Sequence, residues 1–83
     1  MSKSFAQRLQ AIRKPDDVQK QMSLVKSGIT QLRNQAKKAG TLDEKIQILT
    51  KIRQSEAVLF QLRRSVFDIE DALAAGTPLS EIA

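Results

Sequence analysis

The side chains able to do chemistry in this sequence are carboxylates, guanidinium groups and ammonium groups. Cysteine, histidine, tyrosine and tryptophan are absent. That excludes thiol nucleophiles, disulfides, Cys/His zinc sites and histidine general-base catalysis. The carboxylates come together as Asp16/Asp17, Asp43/Glu44 and Asp68/Glu70/Asp71. The first two pairs follow helix-start signals, where acids offset the positive end of the helix dipole and need no other role. Asp68 and Asp71 stand one helical turn apart, but no histidine or glycine-flanked loop accompanies them to suggest a metal site. No phosphate-cradling glycine loop, nucleophile elbow or kinase signature is present. No cofactor is implied, and the expectation is a protein that is not an enzyme.

The basic residues are more informative. The first 64 residues hold all 14 lysines and arginines with five acids, a net +9; the last 19 hold four acids and no base, a net −4. Arg33, Lys37, Lys38 and Lys45 gather around Gly40 at the expected hairpin tip, and Arg53, Arg63 and Arg64 line the outer side of the expected long helix. Such a set can neutralise the phosphates of a nucleic acid backbone, releasing counterions. The same residues also read as a solvated face, with Lys37 and Lys38 compensating a helix dipole. No aromatic is interleaved among them to stack on bases, and no short-helix DNA-reading motif occurs, so backbone contact is the form such binding would take.

These groups are carried by helices. Gln, Lys, Arg, Leu and Ala are abundant and no alternating strand pattern appears. Pro15, Gly40, Gly76 and Pro78 divide the 83 residues. A first amphipathic helix is expected from about Ser4, a possible N-cap, to Arg13, with Phe5, Leu9 and Ile12 on one face. Residues 1–14 are basic and free of acids, which also describes an amphipathic transit peptide. A second helix is expected over about 15–39, with Pro15 in its first turn and Gly40 as a left-handed C-terminal cap. A third is expected over about 42–75, opened by a Thr41–Glu44 capping box and closed by Gly76. Residues 77–83 are expected as a frayed tail or one docked turn, being too short to hold a helix alone. Gly28 interrupts the second helix, either to admit another backbone closely or as a tolerated defect costing about 1 kcal/mol against alanine.

Two heptad seams set the architecture. Val18, Met22, Val25, Ile29, Leu32, Ala36 and Ala39 recur at spacings of 4 and 3, as do Ile48, Ile52, Ser55, Leu59, Leu62, Val66, Ile69 and Leu73. The two-residue link Gly40–Thr41 makes the helices antiparallel neighbours. Reflection about that link sets Ile29 against Ile52 and Met22 against Leu59. Beyond Pro15 it sets Ile12 against Ile69, so the first helix can cover the overhanging end of the third. The third helix carries a second apolar line, Leu42, Ile46, Leu49, Phe60 and Phe67, roughly 110–120° around from its seam at 100° per residue. That line is either covered by the first helix or meets another chain, with Phe60 and Phe67 as anchors.

The expected fold is therefore all-α: an elongated antiparallel helical hairpin with a short N-terminal helix broken at Pro15, paired into a helical bundle. The domain plan is residues 1–14, the hairpin at 15–76 and the tail at 77–83. No apolar run approaches the roughly 20 residues that span a bilayer, and no membrane role is expected. No secretory signal is visible, and the expected location is cytoplasmic. The expected function is a regulatory or packaging protein that forms a homo-oligomer and contacts nucleic acid through Arg33, Lys37, Lys38, Lys45, Arg53, Arg63 and Arg64. The alternative is an adaptor or inhibitor binding a partner protein through Leu42, Ile46, Leu49, Phe60 and Phe67, without nucleic acid.

Overall fold

The structure is a computed structural model describing residues 3–82. Residues 1, 2 and 83, the outermost positions of the expected N-terminal segment and tail, lie outside the described residues. The chain is an all-α antiparallel hairpin, 50 × 19 × 18 Å along its principal axes. Its helices are α1 (Phe5–Gln10), α2 (Pro15–Lys38), α3 (Leu42–Arg64) and α4 (Val66–Ala75), followed by a single 3-10 turn at Leu79–Glu81.

Each boundary has a local cause. Ser4 caps α1 in a reciprocal box: its Oγ accepts from the Gln7 amide at 3.2 Å, and Gln7 Oε1 accepts from the Ser4 amide at 2.8 Å. The helix stops at Gln10, short of the expected Arg13. Asp17 intervenes there: its carboxylate accepts from the Arg13 backbone N–H at 3.0 Å and binds the α1–α2 connection to the first turn of α2. Thr41 Oγ1 accepts from the Glu44 amide at 3.2 Å and opens α3. The other half of that box is displaced by one residue. Glu44 Oε2 accepts from the amide of Gly40 at 3.1 Å, not from that of Thr41.

Gly40 is not a left-handed cap. Gly76, with φ 73°, is the one positive-φ residue among those described. The chain leaves α2 through an extended Ala39 (ψ 130°) and enters α3 through an extended Thr41 (ψ 158°). The link is therefore a spread connection rather than a tight turn. Across the hairpin, Arg33 of α2 pairs with Glu56 of α3 at 3.4 Å.

The expected helix over 42–75 is interrupted at Ser65 (φ −97°, ψ 3°). Ser65 donates its N–H to both Gln61 O (3.0 Å) and Leu62 O (3.3 Å), which tightens the last turn of α3. Ser65 and Val66 are both weak helix formers, one competing for backbone hydrogen bonds and the other stiff at χ1. The cover from α2 is running out at this point. The break lets α4 bury Ile69 and Ala72 against the end of the bundle. Gly76 then closes α4 in the left-handed conformation, and Thr77 N–H reaches back to Ala72 O at 2.9 Å.

One core runs from the open end of the hairpin to Ile29 and Ile52, and no residue of the tip between 30 and 51 is buried. Leu9, Ile12, Val18, Met22, Val25, Ile29, Ile52, Leu62 and Ile69 form it, with Phe5, Leu32, Leu59, Leu73, Leu79 and Ile82 partly buried around it. Burying a side chain of this size contributes about 1.5–3 kcal/mol. Of the expected seam, Ile29, Ile52 and Met22 are buried and Leu59 is half-buried. The tail is the docked alternative: its 3-10 turn packs on α1 and α4. Gln21 and Ser55 are the buried polar residues, and Gln21 accepts from Arg8 Nη1 at 2.9 Å.

A Cβ added to Gly28 would meet, beyond its chain neighbours and the local helix backbone, no atom within 4 Å among the described residues. Within one chain, Gly28 admits no close backbone. Gly28→Ala is expected to raise unfolding stability by about 0.5–1 kcal/mol, read as a higher denaturant midpoint at unchanged slope. The Arg13 amide holds the Asp17 carboxyl below its ordinary value of 3.8. Its contribution to stability is thus complete above that value and is lost as pH falls through the lower folded-state value. An NMR titration should place the Asp17 midpoint below 3.8, and Asp17→Asn should make the thermal midpoint less sensitive to acidification.

Candidate interaction surface

The working surface is built on α3 because that helix is apolar on two sides and has a helical neighbour on only one. Its inner line, Ile48, Ile52, Ser55, Leu59 and Leu62, faces α2, and Leu62 is fully buried. The outer line stays open. Leu42 is 72% exposed, Phe60 61% and Phe67 78%, with Ile46 and Leu49 about half exposed. All five expected interface residues therefore lie on one line of α3 and the start of α4, uncovered by any part of this chain.

α1 does not cover them. It lies on the other side of the hairpin, where Arg8 reaches the buried Gln21 and where Lys3 borders an open groove floored by Val25, Gly28 and Ser55. Leu24 and Val58 line that groove too, and its charged residues are the bases Lys3, Arg8 and Lys51. Arg8 Nε is buried there without a partner.

The seven expected nucleic-acid residues are all exposed. At 100° per residue, Arg53 and Arg64 fall on the same side of α3 as the apolar line. Arg63 and Lys45 border it on the flank toward α2, where Arg33 and Lys37 meet them from α2. Lys38 falls on the far side of α2. Arg64 lies over the Phe60 ring, its guanidinium carbon 5.7 Å from the centroid, a contact worth about 0.5–1 kcal/mol at an exposed site. Arg33, bound to Glu56, is the one member of the seven in an ion pair among the described residues. The bases therefore flank and interrupt an apolar stripe; they do not form a separate polar face. The sequence already sets Arg53, Arg63 and Arg64 on the outer side of the long helix, and helical phase puts them on and beside the apolar line.

Among the described residues, no group of three acids, histidines or cysteines is placed to hold a metal ion. No described helix is long and apolar enough to cross a membrane. No protein-family model, curated protein sequence or solved structure matches the chain.

Proposed function

We propose that the protein is a non-catalytic interaction module that self-associates through the exposed face of α3 and α4. The observation carrying this reading is the outer line itself, five large apolar side chains between 43% and 78% exposed along α3 and the start of α4. A contiguous exposed apolar stripe of this kind marks an association site. Its composition, two phenylalanines with Arg53, Arg63 and Arg64 among the aliphatics, matches the aromatic and arginine enrichment of protein interfaces. A molecule 18–19 Å across in two dimensions also has little interior of its own, and joining two hairpins into a bundle buries the sides that one hairpin leaves open.

The test is sedimentation velocity on the wild type and Phe60→Glu at ~100 μM, beside far-UV circular dichroism. A charge on the outer line is expected to dissociate the assembly while helicity is kept, since Phe60 is 61% exposed and is not one of the buried core residues. A wild type that is monomeric, or a variant that remains assembled, overturns the reading.

A second reading, nucleic acid contact, has its own observation: six of the seven nominated bases are exposed and free of ion pairs among the described residues. In a gel shift with duplex DNA and duplex RNA, affinity should fall steeply between ~50 and ~200 mM salt. Arg63→Ala with Arg64→Ala should lower the salt slope by about one or two and weaken all sequences alike. No binding at ~50 mM salt leaves the basic residues to solubility and to the protein interface.

A further inference from the structure

The outer face of α3 and α4 is a second heptad seam. Leu42, Ile46, Leu49, Arg53, Glu56, Phe60, Arg63 and Phe67 follow one another at spacings of 4, 3, 4, 3, 4, 3 and 4. All eight are exposed. The series is its own mirror image: reversing it about the point between Gln54 and Ser55 returns the same positions. A seam with that symmetry fits an antiparallel copy of itself.

We propose that the occupant of this face is a second copy of the chain, related by a two-fold axis at Gln54–Ser55, with the two α3–α4 arms antiparallel. The proposal rests on the self-association reading above and specifies its geometry. The layers then pair Leu42 with the partner's Phe67, Leu49 with the partner's Phe60, and Arg53 with the partner's Glu56. Ile46 meets the aliphatic stem of the partner's Arg63. Each pair occurs twice by symmetry, as an isologous contact requires.

Three features of charge select this arrangement. Arg53 and Glu56 interrupt the apolar seam at its centre, and only the antiparallel pairing sets each against its opposite; a parallel pairing stacks Arg53 on Arg53 and Glu56 on Glu56. Glu56 then lies between Arg33 of its own chain, 3.4 Å away, and the partner's Arg53. On the flank of the seam the line Asp43, Thr50, Ala57 and Arg64 meets its own reverse, bringing Asp43 beside the partner's Arg64. Finally, the last 19 residues carry −4 and the rest +9, and antiparallel packing lays the acidic α4 end of each copy along the basic tip of the other. The seam spans about 38 Å at 1.5 Å per residue. Its layers within Ile46–Arg63 lie wholly inside α3, and the outer layers cross the Ser65 break to reach Phe67.

The chain has no cysteine, which makes the geometry directly testable. Leu49→Cys and Phe60→Cys placed together in one chain lie about 16 Å apart along α3, too far to join internally. Oxidation is expected to trap a covalent dimer, while each single variant, set against its own copy at the same offset, is trapped no more than the cysteine-free control. In parallel, Arg53→Glu and Glu56→Arg should each weaken association about tenfold by placing like charges at the axis. The double exchange R53E/E56R should restore association to within about threefold of wild type, with helicity unchanged throughout. Trapping of the double-cysteine dimer, or restoration by the charge exchange, supports the arrangement. If the wild type is dimeric and both fail, the arrangement is overturned and self-association stands; a monomeric wild type overturns both.

Discussion

The structure depends on one packing constraint: α3 must bury its inner apolar line, and α2 is the element that does so. Ile29, Val25 and Met22 on α2 close over Ile52 and Leu62 on α3, and the remaining parts fit themselves to that contact. α1 breaks away at Pro15 and folds over one side of the hairpin. α4 breaks away at Ser65 and closes its end. A chain with no cysteine to form a disulfide has few other means of stabilising so small a core. Helix pairing supplies the burial, and it has a geometric cost, since one neighbour covers one side of a cylinder.

That cost is visible as the outer line of Leu42, Ile46, Leu49, Phe60 and Phe67. The opposite side of the hairpin is treated differently. There, α1 covers part of the surface, and the uncovered part is a groove in which the small residues Gly28 and Ser55 lie among Leu24, Val25 and Val58. The molecule therefore presents a shallow groove with basic residues on one side and a raised apolar and arginine-rich ridge on the other. The asymmetry means that exposed apolar area is concentrated where a helix from another molecule can lie flat against it.

Much of this was readable from the residues. The 4–3 spacings fixed helix phase, so both the inner seam and the outer line of α3 fall where the periodicity puts them. Helix starts at Ser4 and Thr41 and the end at Gly76 followed from capping chemistry. The failures share a physical type. Ser65 carries no breaking residue in its neighbourhood, and only the loss of tertiary cover turns two weak helix formers into a break. Gly40 has no positive φ, and the Glu44 carboxylate of the next helix accepts from its amide. In the site, the outer placement of Arg53, Arg63 and Arg64 was legible from helical phase, whereas the Arg64–Phe60 stacking and the Arg33–Glu56 pair depend on side-chain rotamers that spacing does not give.

The contact between α1 and the 3-10 turn has a kinetic consequence. Most of the hairpin closes through a short link and can form early, because little chain entropy is lost in bringing its arms together. The α1 contact joins residues near the two ends of the chain and must wait for the hairpin to exist. It rests on a six-residue helix and a single turn, neither of which holds itself. It is therefore the part that opens first in native-state hydrogen exchange, as a small cooperative unit distinct from α2 and α3. In that open form Leu9, Ile12 and Ile69 are wetted while the outer face of α3 is untouched, so the end of the molecule can breathe without disturbing the surface that meets other molecules.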